Sequence, residues 1–318
     1  MKRLSVFVAS RFLDEIQKDF GEAFSTTFLD TRVPARKLAE ADSSFDALLL
    51  SIDTPLPARE IEALPDAVRA IATYSVGTDH IDLAAAKRRG IAVFNTPGVL
   101  SDSVAENAIF LMLGAARRAT ESIALLRSGT WKGWSATQLV GTELSCKRLG
   151  IVGLGDIGGR IALRAQAFGM EILYTNRKPL PLDHPVRGRF FDSPAALIAE
   201  SDVFLLACPS TPETHRLVDA ELLARARPGL ILVNIARGDL VDDEALIEAM
   251  RNGPVSAAGL DVFSGEPEID PAYFALPNLF MLPHIGSSTI EARRRMGRAL
   301  IAALELWAEG GSPKNQVC

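Results

Sequence analysis

Cysteine is scarce. Cys146, Cys208 and Cys318 are the only three in 318 residues, far apart and without a C-x-x-C pair, which excludes a zinc knuckle and a disulfide framework and fits a reducing cytoplasm. Histidine is almost as sparse: His80, His184, His215 and His284 show no ligand spacing, so no metal site is expected. Positive charge is in deficit too. A formal net charge of -5 and a pI near 5.5 leave no whole-chain cationic footprint for nucleic acid or an anionic membrane. A long hydrophobic run is missing as well, because the most apolar helical stretch, AIFLMLGAARR, is stopped by Arg117 and Arg118 far short of bilayer length. The opening MKRLSVFVASRFLDE places basic residues before an apolar run, but the run is short, lacks a convincing cleavage site and alternates like a first strand.

What remains is an ordinary soluble composition, 48% hydrophobic and 23% charged, in a chain long enough for about two domains. Short apolar runs rich in β-branched residues alternate with helical stretches, the pattern of parallel sheets with crossover helices. LSVFVA, FSTTFL, ALLLS, AIATYS and AVFNT read as strands of a first series. A long helix is predicted over 102–126, with Ser101 or Asp102 as N-cap. After a loop with two tryptophans, Trp131 and Trp134, a second series follows: RLGIVGLG, EILYTN, RFFDS, DVFLLACP, LILVNIA, AAGLDVF and LFMLPHIG. A last helix, 289–308, has no strand left beside it and is expected to return to the first domain.

The strongest local motif is Gly153-x-Gly155-x-x-Gly158, after a predicted strand and opening a predicted helix. That is the setting of a dinucleotide fingerprint, in which the glycines permit a tight turn and close approach of a pyrophosphate. The turn into the helix, at Asp156 and Ile157, offers free N–H groups and the positive end of the helix dipole to phosphate. An acidic residue usually stands roughly 20 positions on, where it accepts from the adenosine ribose. Here that place holds Asn176, followed by Arg177 and Lys178. A carboxylate would repel a 2′-phosphate, whereas Arg and Lys would attract one, so the cofactor inferred is NADPH, with NADH also usable. The alternative is that Arg177 and Lys178 only solvate a loop while Asn176 bonds the ribose.

Downstream, NIARGDLVDDEAL, GLDVFSGEP and LPHIGSST carry Arg237, Asp261, Glu266 and His284 just after predicted strands, where an α/β sheet presents its ligands. With TYSVGTDHIDL, FNTPGVLSDSVAE and CPSTPETHRLVD, these segments make the chain resemble the D-isomer-specific 2-hydroxyacid dehydrogenase family, in its glyoxylate and hydroxypyruvate reductase branch, over essentially its whole length. The resemblance implies a catalytic trio of Arg237, Glu266 and His284. Reducing a 2-oxo acid needs a cation on the substrate carboxylate and carbonyl, which Arg supplies with bidentate geometry. It also needs a proton donor near neutral pH, for which His is suited, and a carboxylate to favour and orient the imidazolium. Taken singly, Arg237 also reads as a helix-cap cation, Glu266 as a surface charge before Pro267 and His284 as a buried, satisfied histidine.

The same resemblance assigns Asp261 to the nicotinamide carboxamide, although an Asp ending a strand also caps turns. It gives the backbone of Val76 and Gly77 to the substrate carboxylate, and puts Cys208, Pro209, Thr214, Ala236 and Gly286 along the cofactor, Cys208 standing where many relatives carry His. Trp134 is implied to reach the substrate pocket of a partner subunit in a homodimer; packing within its own subunit is the alternative. The expected architecture is α/β, two doubly wound parallel-sheet domains: a flavodoxin-like substrate-binding domain, 1–99 with 288–318, and a Rossmann nucleotide-binding domain, 100–287. Crossings near Pro97-Gly98 and Gly286 would act as hinges, with the active site in the cleft. The function implied is reduction of glyoxylate to glycolate and of hydroxypyruvate to D-glycerate. Bulkier 2-oxo acids such as phenylpyruvate, shaped by the loop 51–57, and a non-catalytic nucleotide-sensing corepressor on the same scaffold are the other readings.

Overall fold

A computed structural model of the chain describes residues 3–28 and 45–318. Leu29, the last residue of the expected FSTTFL strand, lies outside them. The chain divides into two compact units, one made of residues up to Leu100 together with Ser287–Cys318, the other Ser101–Gly286.

In the first unit, β1 (Ser5–Val8), β2 (Ser25–Phe28), β3 (Ala47–Leu50), β4 (Ala70–Thr73) and β5 (Ala92–Phe94) form a parallel sheet of order β2-β1-β3-β4-β5. This is the doubly wound, flavodoxin-like order. Every residue of β3 and β4 is buried, which explains why ALLL and AIAT read as unbroken apolar runs: parallel strands are covered on both faces. Phe7, Phe45, Leu48, Leu50, Ile61, Ile71 and Val93 build the core. The last helix, Ile290–Ala308, is capped by Thr289, whose hydroxyl accepts from Ala292 N. It ties to the helix Asp14–Ala23 through Arg294, which donates to Glu15 at 2.7 Å. The chain then covers the β5 edge antiparallel, with Val317 N donating to Val93 O at 2.8 Å and Asn95 N to Asn315 O at 3.2 Å. An edge so paired offers no free ladder.

The second unit holds β6 (Arg148–Val152), β7 (Glu171–Thr175), β8 (Arg189–Phe191), β9 (Val203–Leu206), β10 (Leu230–Asn234), β11 (Val255–Leu260) and β12 (Leu279–Met281). All are parallel, in the order β12-β11-β10-β9-β6-β7-β8, the Rossmann arrangement with its reversal between β6 and β9. Phe204, Leu206, Leu232 and Leu260 lie in its core.

The helix predicted over 102–126 is two helices, Ser101–Ala116 and Ala119–Arg127. Ala116 O accepts from Thr142 N at 2.8 Å, so the carbonyl that would carry the helix onward is engaged by the returning chain. Arg118 then takes a left-handed φ of 56° as the chain turns. Neither predicted cap caps this helix. Ser101 Oγ donates to the Asp156 carboxylate, and Asp102 binds Arg160 at 2.7 Å and Arg164 at 2.9 Å, fastening the helix Ser101–Ala116 to the helix Asp156–Ala167.

Candidate active site

The glycine-rich turn follows β6. Gly153 has a φ of +95°, and a Cβ there would stand 2.7 Å from Cys208 N and 2.8 Å from Ala207 O, so backbone crowding leaves room only for glycine. A Cβ on Gly158 would lie 2.3 Å from Gly153 O, whereas one on Gly155 meets nothing within 4 Å. Two glycines therefore serve packing and the middle one leaves open space at the start of the helix Asp156–Ala167, whose cap makes no side-chain hydrogen bond. The free N–H groups of that end suit a phosphate.

At the end of β7 the Asn176 amide is already employed. Its Oδ1 accepts from Leu154 N at 2.7 Å and its Nδ2 faces Leu154 O at 3.3 Å, so both ends of the side chain hold the glycine turn rather than standing free for a ribose. Arg177 and Lys178 next to it are exposed, with no ion pair or hydrogen bond of their side chains among the described residues. In the neighbouring loop, Thr214 Oγ1 donates to Pro209 O and accepts from Thr211 N, both at 2.8 Å, which fixes the turn 209–214. Burial pushes the Cys208 thiol up to about 11, so it stays protonated and behaves as a small apolar neighbour of Gly153.

Arg237 follows β10. Buried Asn234 grips this turn twice: its Oδ1 accepts from Ala236 N at 3.0 Å and its Nδ2 donates to Arg237 O at 2.7 Å. Beside it, a Cβ on Gly238 would fall 1.8 Å from the carbonyl carbon of Phe263, so the segment after β10 lies directly on the segment after β11. That second segment leads to Glu266.

His284 follows β12, and its Nδ1 stands 2.7 Å from Glu266 Oε1. An ionised carboxylate only accepts, so Nδ1 carries the proton and Nε2 is left to act as acid or base. The backbone of His284 is in the left-handed region at φ 53°, an uncommon state for a residue with a Cβ. Asp261 over-determines it. Its main-chain O accepts from His284 N, its Oδ1 from Ile285 N and its Oδ2 from Gly286 N, each at 2.8 Å. The Asp261 side chain is 1% exposed; burial raises its carboxyl, against the lowering effect of those N–H groups and of His284. Sequence reasoning named Asp261 for a cofactor contact but missed this bracing of the His284 loop.

In the first unit, the turn after β4 turns its carbonyls to donors within the unit. Ser75 O accepts from Thr96 N at 2.9 Å, Val76 O from Asn95 Nδ2 at 2.8 Å, Gly77 O from Ser75 Oγ at 2.7 Å and Thr78 O from Ile81 N at 2.9 Å. The amides of Val76 and Gly77 donate to nothing among the described residues. Two free N–H groups with every adjacent carbonyl turned to a donor suit an anion.

Trp134 is 86% exposed and, with Trp131, Leu126 and Val140, lines a surface groove of about 850 Å³ that none of Arg237, Glu266 and His284 lines. Trp131 Nε1 donates to Gln138 at 3.3 Å. Among the described residues no cluster of potential ligands could hold a metal ion, and no helix is long and apolar enough to cross a membrane.

Comparison with known proteins gives the family of the chain. The family model for the D-isomer specific 2-hydroxyacid dehydrogenase NAD binding domain matches residues 109–286. The glycerate dehydrogenase of Hyphomicrobium methylovorum is 42% identical over 269 residues, 84% of each chain. A crystal structure of a D-isomer specific 2-hydroxyacid dehydrogenase from Polaromonas sp. JS6 66 superposes with a TM-score of 0.94 at 41% identity, covering 100% of both chains. The NADPH-dependent glyoxylate/hydroxypyruvate reductase of Sinorhizobium meliloti, solved with NADP and malonate, gives 0.89 at 30% identity over 100% of this chain and 97% of that one.

Proposed function

Since the chain belongs to the D-isomer specific 2-hydroxyacid dehydrogenase family, we propose that it is an NADPH-preferring reductase of small 2-oxo acids, converting glyoxylate to glycolate and hydroxypyruvate to D-glycerate. The observation that carries the proposal is the 2.7 Å pair between His284 Nδ1 and Glu266, which fixes the ring and leaves Nε2 to exchange a proton with a developing alkoxide. The names and ligand of the relatives, glycerate, glyoxylate, hydroxypyruvate and NADP, support the substrate class and the cofactor.

A nicotinamide dinucleotide, when bound, supplies the hydride. Gly153, Gly155, Asp156, Ile157 and Gly158 would hold its pyrophosphate, with Pro209, Thr214, Ala236 and Gly286 along its length, and the glycine turn fits such a group because a Cβ at Gly155 meets open space. Arg177 and Lys178, exposed and unpaired among the described residues, suit an adenosine 2′-phosphate. The amides of Val76 and Gly77 receive the substrate carboxylate. Arg237, its main chain held by Asn234, supplies the cation for a 2-oxo acid's carboxylate and carbonyl. His284 donates the proton from Nε2, and Glu266, on its Nδ1, keeps the ring oriented. We assign the exposed Trp134 to the pocket of a second copy in a homodimer, which also accounts for an indole left in water. The three free cysteines belong with a cytoplasmic setting.

Steady-state kinetics over glyoxylate, hydroxypyruvate and phenylpyruvate with both dinucleotides tests the reading. Glyoxylate or hydroxypyruvate with NADPH should give the highest kcat/KM. No turnover with any 2-oxo acid would overturn the enzyme, and preference for phenylpyruvate the substrate class.

A further inference from the structure

The turn that presents the Val76 and Gly77 amides does not hold its own shape. Its carbonyls would otherwise compete for the same face, and one of them, Val76 O, is turned away by a single side chain: Asn95 Nδ2, at 2.8 Å. Asn95 is 8% exposed and stands one residue beyond β5. Its neighbour Thr96 donates from its main-chain N to Ser75 O at 2.9 Å, so residues 95–96 run alongside 75–76 and hold them at two points. Asn95 is itself fixed from the far end of the chain. Its N donates to Asn315 O at 3.2 Å and its O accepts from Asn315 Nδ2 at 2.7 Å. The same device recurs after β10, where Asn234 donates to Arg237 O. In both places a strand-end asparagine fixes the peptide that faces substrate.

We infer that Asn95 is a positioning residue for substrate: its side-chain N–H holds the Val76 peptide plane so that the two free amides converge on the substrate carboxylate. The inference rests on the reading that those amides bind the carboxylate. It assigns Asn95 an effect on KM and not on kcat. The carboxylate keeps its charge throughout hydride transfer, so amides that bind only that group hold the ground and transition states alike, and loss of such uniform binding raises KM alone.

Three variants test it. Asn95→Leu keeps the size and removes the donor; KM for glyoxylate should rise about tenfold or more, because a buried carbonyl loses its partner and the turn relaxes. Its kcat should stay within about twofold, and its dissociation constant for NADPH, measured by quenching of protein fluorescence, should match wild type. Asn95→Asp removes the donor near neutral pH and restores an O–H donor once the buried carboxyl is protonated. The ratio of its KM to that of wild type should therefore shrink as pH falls to about 5, a response that damaged packing would not give. Gly77→Pro deletes one of the two amide donors and tests the underlying reading by itself. If Gly77→Pro raises KM while Asn95→Leu leaves it unchanged, or if the Asn95→Asp ratio does not move with pH, the role of Asn95 is overturned and carboxylate recognition by the amides stands. If Gly77→Pro leaves KM unchanged, that recognition fails and the inference fails with it.

Discussion

His284 Nδ1 and Glu266 Oε1 lie 2.7 Å apart, with 26% and 32% of their side chains exposed, and come from the segments after β12 and β11, adjacent strands of one sheet. Adjacent strands of the sheet thus deliver the two segments that form the pair. It follows that His284→Ala should lower kcat by about 100-fold or more, the usual cost of losing a positioned acid, while the dissociation constant for NADPH stays near wild type. Arg237→Ala should differ in kind, raising KM and lowering kcat together, because the cation acts on the carboxylate and on the polarised carbonyl. Rapid kinetics on purified variants with glyoxylate decides it; wild-type rates in both would remove the catalytic assignment.

Gly238 answers for the meeting of the Arg237 and Glu266 segments. An added Cβ would sit 1.8 Å from the Phe263 carbonyl carbon and 2.2 Å from Ser264 N, both backbone atoms that cannot swing aside. Gly238→Ala should therefore separate the two segments and cost about 3 kcal/mol or more. For a unit of this size that corresponds to about 6–12 °C in Tm, with kcat falling at the same time. A melting curve within a degree or two of wild type would show that the segments tolerate separation.

Trp134, 86% exposed, carries a large apolar ring that gains nothing in its own unit. If it completes the pocket of a second copy, Trp134→Ala should change the ratio of kcat/KM for glyoxylate to that for hydroxypyruvate by about threefold or more, since one aromatic contact is worth roughly that, with little effect on NADPH affinity. Sedimentation of the same variant reports whether the copies still associate. An unchanged ratio in an intact dimer would return Trp134 to a purely surface role.

The strands were legible because burial on both faces of a parallel sheet writes continuous apolar runs, as in ALLL and LILVN, and the candidate site residues Arg237, Glu266 and His284 could be picked out because each follows such a run. The break at Arg117–Arg118 was not. It depends on Thr142 N reaching Ala116 O, a contact with no local signal in the helical pattern. The roles of Asn95, Asn234 and Asp261 were hidden for a related reason. Each is a side chain gripping main chain, and for Asn95 and Asp261 the partners lie 19 and 24 residues away, distances that no periodicity encodes. Asn176 is the sharpest case, because in sequence it occupies the place of a ribose ligand and in the structure it holds Leu154.

That engagement bears on cofactor choice. With Asn176 occupied by Leu154, discrimination between the dinucleotides falls to Arg177 and Lys178, both exposed and unpaired among the described residues. Replacing both by uncharged residues should raise KM for NADPH far more than for NADH. Two charge-assisted contacts, discounted for solvent, correspond to about 30- to 1000-fold in relative efficiency. Adding Asn176→Asp should push further toward NADH: the new carboxylate can still accept from Leu154 N, loses the donor that faced Leu154 O, and turns its second oxygen to the ribose hydroxyls while repelling a phosphate. Salt gives an independent measure, since binding of NADPH by two exposed cations should weaken with ionic strength more steeply than binding of NADH. The experiment is kinetics of wild type, double and triple variants with each dinucleotide at saturating 2-oxo acid. A wild type that already favours NADH, or a double variant with an unchanged ratio, would reduce the cationic pair to a solvated turn and leave the missing acid at position 176 explained only by its grip on the glycine loop.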